Sequence, residues 1–365
     1  MKRSAKSKKS KMKILIIVIT VFLVLNIADF IFSVVIYKQN FDQRFTTPEP
    51  VSHIEEFEEL AATKYTFPSD KGQLLTGYMY RYPELNEHER PHGIVVIAHG
   101  FGGGGHNTYM SVADHFASKN FLVFAYDATA CDESEGDGVG GLPQGVIDLD
   151  TAISFVEKEY PNMPVVLFGH SWGGYSVMSV LKYHPEIKAA VECSGFAAAS
   201  DMFEIEGKRQ AGYSIYAMLP YVKLYDRLKF GKYAKYGALD GLSASDTPVM
   251  VIHSADDDIV PIEYGYDKIY EKYSDDPRFE FVRFDDRGHN NVFVDKEKLA
   301  AINDDFKEWI YSQGYDPEAA ENRDRYYKDR ETYYTSILNR DVWNSRLNFE
   351  LLDKITEFYE NQLTD

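Results

Sequence analysis

The sequence has few cysteines and a deficit of basic residues. Cys131 and Cys193 are its two cysteines, far apart and outside any C-x-x-C or His-rich pattern. This excludes a disulfide framework and a structural zinc site, although one disulfide between them stays open. The 39 basic residues are outnumbered by 57 acidic ones, giving a net charge of −18. Such an acidic chain is a poor ligand for nucleic acid or anionic lipid, so we expect no nucleic-acid partner.

Nucleotide-binding motifs are also absent. The run from His99 to Gly105 contains five glycines, which would suit a phosphate-binding loop. It lacks both the G-x-x-x-x-G-K-[ST] pattern and the G-x-G-x-x-G spacing with a ribose-binding acid. We therefore expect no nucleotide, no other organic cofactor and no metal.

Long apolar runs are confined to the N-terminus, where residues 14–37 are almost continuously apolar. As a helix these 24 residues would span roughly 36 Å, enough for a hydrocarbon core of about 30 Å. Residues 1–13 carry seven Lys or Arg and no acid, which leaves 32 basic against 57 acidic residues, or −25, for the remainder. The positive-inside rule then predicts a cytoplasmic tail (1–13), a single-pass anchor in the cell membrane (14–37) and an extracytoplasmic body.

A cleaved signal peptide is the alternative interpretation of this segment. Signal peptides have shorter apolar regions, of about 7–15 residues, followed by a small-residue cleavage site. The run here is longer and no convincing A-x-A pattern follows it. We favour the uncleaved anchor, followed by a stalk over residues 38–62 that contains Pro48, Pro50 and an acidic cluster.

Beyond residue 62, apolar strand-like runs alternate with helical patterns. The pattern predicts an α/β domain over residues 63–312, with a mostly parallel central sheet, flanking helices and an opening antiparallel hairpin. Strands expected to end at Cys193 and to begin at Pro248 are separated by more than fifty residues, too many for an ordinary connection. We interpret residues 196–246 as a helical lid, the alternative being a decoration that only packs on the body.

Residues 313–365 form an extension beyond this domain. Apolar side chains recur at helical spacing near its end, which predicts an amphipathic helix containing Leu351, Leu352, Ile355, Phe358 and Tyr359. This helix is expected to pack on the domain, and docking of a partner is the alternative role.

The pentapeptide Gly169-His170-Ser171-Trp172-Gly173 has the pattern G-x-S-x-G. An apolar run over residues 165–168 precedes it and a helical pattern over residues 175–181 follows. Strand, tight turn and helix are the context of a nucleophile elbow, in which a serine is held in a strained turn. Its neighbours must be small, and the helix N-terminus favours developing negative charge.

Three further motifs join the elbow in a set that resembles the α/β-hydrolase-fold serine hydrolases over roughly residues 64–312. The set is ordered Ser, Asp, His along the chain, as in that family. It comprises His99-Gly100-Phe101-Gly102-Gly103, the elbow, the segment from His253 to Pro261, and Gly288-His289-Asn290. The resemblance implies a carboxylic ester hydrolase of that fold that works through a Ser-Asp-His triad.

Ser171 is the expected nucleophile, and it needs a base to take its proton. His289 fits this role best because it follows the last predicted strand, whereas His99, His170 and His253 lie within the other motifs. The family pattern H-G-x-x-D-x-x-V-P aligns its acid with Asp257, and Asp256 is the main rival. This sequence departs from the pattern at Ser254, where glycine is usual.

The resemblance also implies an oxyanion hole formed by the backbone amides of Phe101 and Trp172. Another loop, from Asp127 to Gly136, is similar to a family loop near the active site. We expect Cys131 in this loop to be a packed small side chain. The loop also carries an acidic cluster, which we expect to be exposed to solvent; the alternative is that it binds a cation. The cluster consists of Asp132, Glu133, Glu135 and Asp137.

The sequence thus predicts a membrane-anchored serine hydrolase that cleaves a small or lipid-like ester through an acyl-enzyme on Ser171. A peptidase or amidase of the same fold is the first alternative. A non-catalytic surface binding protein that retains the fold is the second, because the fold alone does not fix function.

Overall fold

The computed structural model describes residues 2–363, with side chains from residue 10 onward. Much of the predicted basic tail therefore lies outside the described side chains. The expectations that rest on Lys2, Arg3, Lys6, Lys8 and Lys9 stay predictions.

An eight-stranded sheet forms the centre of the molecule, in the order β1-β2-β4-β3-β5-β6-β7-β8. β2 is antiparallel to β1 and β4, and every other neighbouring pair is parallel. This confirms the mostly parallel sheet with an opening hairpin. The strands are β1 (Ala61–Pro68), β2 (Leu74–Arg81), β3 (Ile94–Ala98), β4 (Leu122–Tyr126), β5 (Val165–His170), β6 (Ala189–Cys193), β7 (Val249–Ser254) and β8 (Phe279–Phe284).

Helices cover both faces of the sheet and connect its parallel strands. Those up to the lid are α1 (Lys2–Phe41), α2 (Pro83–His88), α3 (Gly105–Thr108), α4 (Met110–Ser118), α5 (Gln144–Glu159) and α6 (Trp172–Val180). The segment predicted to be a lid (residues 196–246, called the lid below) contains α7 (Ala199–Ala211), α8 (Leu219–Phe230), α9 (Lys232–Lys235) and α10 (Ala238–Ala244). The remaining helices are α11 (Tyr266–Tyr273), α12 (Lys296–Ser312), α13 (Arg323–Ser336), α14 (Arg340–Asn344) and α15 (Phe349–Leu363).

The side chains of the central strands alternate between two hydrophobic cores. Val96 and Leu167 point into one core, shared with α5, α6 and the lid. Val95 and Phe168 point into the other, shared with α4 and α15. Since both faces are covered, the strands are continuous apolar runs, as expected of a parallel sheet.

The C-terminal helix α15 belongs to this second core. Leu352 and Ile355 are buried in it, and the hydroxyl of Tyr359 donates a 2.7 Å hydrogen bond to Leu167 O on β5. Of the two roles considered for this helix, packing on the domain agrees with the structure.

Helix α1 contains the apolar N-terminal run. Its part from Ser10 to Phe41 is long and apolar enough to cross a membrane, by length and composition. The helix continues past the predicted span of residues 14–37, but its contacts with the lid begin inside that span, so the last part of the span belongs to the folded domain. Tyr37 and Phe41 are buried there, with the Tyr37 ring centroid 5.9 Å from that of Phe203. Nearer the N-terminus of α1, Asn26 Oδ1 accepts a 2.8 Å hydrogen bond from the hydroxyl of Tyr221 on α8.

The stalk expected over residues 38–62 is not a free linker. Phe45 N donates to Ala130 O at 2.9 Å, and the Arg44 guanidinium donates to Ser134 O and Gly136 O, both at 2.9 Å. The segment therefore lies along the loop that follows β4. Its backbone and side-chain donors find partners on that loop, which composition alone does not reveal.

Candidate active site

The serine of the elbow lies between β5 and α6 in a strained conformation. Ser171 has φ 57° and ψ −113°, a region that side-chain-bearing residues rarely adopt. A Cβ on Gly173 would overlap Ala98 O, and one on Gly169 would overlap Gly173 O. Both positions therefore require glycine, which accounts for the G-x-S-x-G spacing.

The structure brings the three expected triad side chains together. His289 Nε2 lies 2.8 Å from Ser171 Oγ, and His289 Nδ1 lies 2.7 Å from Asp257 Oδ2. All three residues are buried: the exposed fraction is 7 % for His289, 9 % for Ser171 and 4 % for Asp257. Both contacts are within the reach that general base catalysis needs. Their catalytic roles stay predictions.

Asp257 is held as a carboxylate by several donors. Its Oδ1 accepts from Ile259 N at 2.9 Å and from Val260 N at 2.8 Å, and His253 Nε2 lies 3.3 Å from Oδ2. Burial acts to raise the pKa of Asp257, but the hydrogen bonds from His253 and His289 outweigh it and hold the pKa well below its usual range. An ionised Asp257 can orient the imidazole of His289 and stabilise its charged form.

Asp256 has different partners. Its Oδ1 accepts from Ser254 Oγ at 2.6 Å and from Gly288 N at 2.8 Å. It therefore supports the loop that carries His289, and among the adjacent aspartates it is Asp257 that faces the imidazole.

A buried carboxylate behind the triad was not anticipated from the sequence. Glu192 on β6 is fully buried, and its Oε2 accepts from Gly195 N at 2.8 Å. Within the described part of the chain, Glu192 Oε1 and the nearby His253 Nδ1 have no hydrogen-bond partner. The one feature of the sequence that could have indicated it is a single acidic residue inside the otherwise apolar strand Ala189–Cys193. Burial raises the pKa of Glu192 to about 7.

This raised pKa predicts a pH dependence of stability. Between its ordinary value of 4.5 and about 7, the Glu192 carboxyl ionises in the unfolded chain before it does so in the folded one. The free energy of unfolding therefore falls as the pH rises through this window, by on the order of 3 kcal/mol at about 1.4 kcal/mol per pH unit. We expect Glu192→Gln to remove this part of the dependence.

The measurement is the thermal unfolding midpoint of the purified full chain near pH 5 and near pH 7.5. Asp226, whose pKa burial also raises to about 7, contributes in the same direction, so the comparison is between parent and variant. The exposed Glu357→Gln is the control and should behave as the parent. An equal pH dependence in Glu192→Gln and in the parent would contradict this account.

The two residues expected to supply the oxyanion hole lie beside the elbow. A Cβ on Gly100 would be 3.6 Å from Ser171 Cβ, so the loop after β3 passes close to the serine. The Phe101 ring meets the Trp172 ring edge-on with centroids 5.3 Å apart, and Trp172 Nε1 donates to Leu142 O at 2.7 Å. The assignment of their amides to the oxyanion hole stays a prediction.

His170 and His99 have structural partners. His170 Nε2 lies 3.0 Å from His289 O, and its Nδ1 lies 2.9 Å from the hydroxyl of Tyr109. Burial, reinforced by the charge of His289, lowers the pKa of His170 to about 3, so this ring is neutral. His99 Nε2 accepts from Ala128 N at 2.9 Å. These contacts position the loops around the triad.

The acidic cluster after β4 is largely solvated, as expected, since Glu133, Glu135 and Asp137 are exposed and Asp132 is half-buried. Asp132 Oδ2 accepts from Thr47 Oγ1 at 2.6 Å and from Asn107 Nδ2 at 3.2 Å. Asp127 Oδ1 lies 2.8 Å from His106 Nδ1. His106, Asp127 and Asp132 are close enough to share a metal ion, but these hydrogen bonds already occupy their ligand atoms. We assign no metal here.

Cys131 and Cys193 are buried free thiols.

A cleft of about 720 Å³ opens over Ser171 and His289. Four separate parts of the chain complete its walls. They are the end of α1 with Asn40 and Phe41, the segment after it with Thr47, Pro48 and Pro50, the lid with Met202 and Glu206, and the C-terminal extension with Trp343 and Arg346. Sequence reasoning missed all but the lid, because these residues become neighbours only on folding.

Sequence comparisons relate part of the chain to known hydrolases. Residues 89–236 match the family model described as serine aminopeptidase, S33. Monoacylglycerol lipase of Mycolicibacterium smegmatis is 32% identical over 107 residues, which are 29% of this chain and 38% of that protein. Monoglyceride lipase of Rattus norvegicus is 36% identical over 87 residues, 23% of this chain and 28% of that protein. The matches thus span less than half the length of these relatives.

Solved structures are similar over more of the chain. An esterase of Pyrococcus furiosus, Pf2001, superposes with a TM-score of 0.53 at 16% identity, covering 74% of this chain and 96% of that one. Brefeldin A esterase, a bacterial homologue of human hormone-sensitive lipase, gives 0.51 at 13% identity, covering 86% and 80%. Strand order, motif order and these likenesses agree. The chain has the α/β-hydrolase fold.

Proposed function

We propose that this protein hydrolyses carboxylic esters through an acyl-enzyme on Ser171. The observation that carries the proposal is the continuous hydrogen-bonded chain Ser171–His289–Asp257 at the base of a cleft. The names of the relatives, lipases and esterases, point to the same reaction.

In this mechanism His289 Nε2 takes the proton of Ser171 Oγ as the oxygen attacks the ester carbonyl. Asp257 stabilises the resulting imidazolium, and the amides of Phe101 and Trp172 donate to the oxyanion of the tetrahedral intermediate. His289 then gives its proton to the leaving alcohol, and the acyl group stays on Ser171. Water, deprotonated by the same imidazole, attacks the acyl-enzyme, and release of the acid restores Ser171.

The walls of the cleft favour a lipid-like or otherwise partly apolar ester. Phe41, Phe101 and Met202 supply apolar surface near the serine. We further propose that α1 anchors the protein in the cell membrane through the apolar turns of residues 14–37 that precede its contacts with the lid, with residues 1–13 cytoplasmic and the hydrolase domain (63–312) with its extension (313–365) outside. Since Asn40 and Phe41 line the cleft, this anchor would hold the cleft close to the membrane surface.

A peptidase or amidase is the second candidate, because the family model that matches residues 89–236 is described as a serine aminopeptidase. The third is a binding protein in which the triad does not react. The three candidates differ in the bond that they cleave.

The test compares p-nitrophenyl esters of increasing acyl length with p-nitroanilides of the same acids, including aminoacyl anilides. The full chain in detergent is used, because Tyr37 and Phe41 of α1 belong to the buried core. We expect ester hydrolysis with kcat/KM at least about 100-fold above the matched anilide, since an amine leaves only when protonated by the general acid. Preference for aminoacyl anilides would favour the peptidase. A folded protein that cleaves no substrate and resists a fluorophosphonate would favour the binding protein.

A further inference from the structure

A positively charged side chain from the C-terminal extension reaches the cleft. Arg346 follows α14 and lines the same cavity as Ser171 and His289. Its guanidinium lies over the Trp343 ring, 3.5 Å from the ring centroid, and Nη1 donates to Trp343 O at 2.6 Å. Stacking and this bond fix the orientation of the group.

Arg346 has no carboxylate partner among residues 10–363, although the chain has 57 acidic residues. Two other partly buried arginines are paired, Arg340 with Glu56 at 2.7 Å and Arg278 with Asp276 at 2.7 Å. Arg287 resembles Arg346 in lacking a carboxylate partner within the described part of the chain, but it does not line the cleft. Burial and the charge of Arg340 lower the pKa of Arg346 to about 9, with no acid to offset them, and the group is still a cation at neutral pH. An unpaired buried charge is costly, so an anion that enters the cleft would be stabilised there.

A second unpaired donor lies next to Arg346 but is sealed from the cleft. Trp343 Nε1 is buried and has no acceptor within the described part of the chain. Nε and Nη2 of Arg346 also have no acceptor among the residues that the structure describes, and unlike Trp343 Nε1 they keep some accessible surface. The cleft is thus offered an unpaired guanidinium at this corner, and Phe41 and Met202 add apolar surface elsewhere in its lining. Glu206 is an acid among the lining residues, and its carboxylate is paired with Arg209 at 2.6 Å.

We propose that Arg346 forms an anion subsite of the cleft and that the substrate is an ester carrying an anionic oxygen group, a carboxylate or a phosphate. The inference rests on the proposed function and names its substrate class. A guanidinium binds such groups through two parallel N–H···O bonds, which fixes the substrate as well as attracting it. The anion belongs either to the acyl part, as in a dicarboxylic acid monoester, or to the alcohol part, as in a lipid headgroup.

Two matched substrate pairs distinguish these sources. The first is p-nitrophenyl pentanoate and the p-nitrophenyl monoester of glutaric acid, in which a carboxylate replaces the terminal methyl group. The second is a 1-acylglycerol and the 1-acylglycerol 3-phosphate with the same acyl chain. In at least one pair the parent is expected to prefer the anionic member by about tenfold or more in kcat/KM, the equivalent of one charge-assisted contact.

Arg346→Gln should lose that preference, measured as the ratio of kcat/KM within each pair, and Arg346→Lys should keep part of it. Arg323→Gln is the matched control, because Arg323 is exposed in the same extension and also lies over an aromatic ring, that of Tyr327. It should leave both ratios unchanged. Thermal unfolding midpoints show that each variant is folded.

Two outcomes overturn the inference alone. One is a parent that cleaves the neutral member of both pairs at least as fast as the anionic member, which requires no variant. The other is an anionic preference that survives intact in Arg346→Gln. Failure of the parent to cleave any ester would instead overturn the proposed function, and the subsite with it.

Discussion

Replacing Ser171 with alanine is expected to lower kcat for ester hydrolysis by about 10⁴-fold or more and to abolish labelling by a fluorophosphonate probe. The reason is that the attacking atom is removed, and the acyl-enzyme can no longer form. What remains is the stabilisation of direct water attack by the oxyanion donors and by binding. The measurement is the initial rate on p-nitrophenyl butyrate, with covalent labelling of the same preparations.

Ser176→Ala is the matched control for this variant. Ser176 is a buried serine on the same helix, and its Oγ donates to Trp172 O at 2.8 Å within the helix. It should label and hydrolyse as the parent does. If Ser171→Ala retained labelling or more than a small fraction of the parent rate, the nucleophile would be another residue.

The elbow and the sheet could be predicted because their causes are local. A run of buried residues such as 165–168 implies a strand covered on both faces, and the contact that requires Gly169 to be glycine is made by Gly173, four residues away. Gly173 itself is required by a contact with Ala98 O on β3, which the G-x-S-x-G pattern reflects but does not reveal. The identity of the triad acid was harder to predict. Asp256 and Asp257 are adjacent, and only the folded loop shows which of them faces His289.

The walls of the cleft could not be predicted in this way. Phe41, Thr47 and Arg346 are separated by up to about three hundred residues from one another, and no sequence period marks residues that meet only in the tertiary structure. Composition suggested a loose stalk where Arg44 and Phe45 in fact pair with backbone groups of the loop after β4. Glu192 was missed for a related reason, since one acid in an apolar strand does not reveal that it is buried beside His253.

The assignment of the triad acid leads to the second large effect. We expect Asp257→Asn to lower kcat by about 10³- to 10⁴-fold, because an amide in place of Oδ2 cannot stabilise the imidazolium and favours the wrong tautomer of His289. The Ser171 hydroxyl is then no longer an effective nucleophile. The loop should stay folded, since Oδ1 can still accept from Ile259 N and Val260 N. The measurement is kcat on the same ester, with the thermal unfolding midpoint of each variant.

Asp256→Asn separates the acid from its neighbour. Its Oδ1 accepts from Ser254 Oγ and Gly288 N and can do so as an amide, so this variant should keep kcat within about tenfold of the parent. Both substitutions remove one negative charge within two adjacent residues, so a general electrostatic effect on His289 would lower both rates similarly. A large loss confined to Asp257→Asn identifies the carboxylate that contacts the imidazole. A larger loss in Asp256→Asn would move the acid by one position and require the loop before Pro261 to rearrange in the working enzyme.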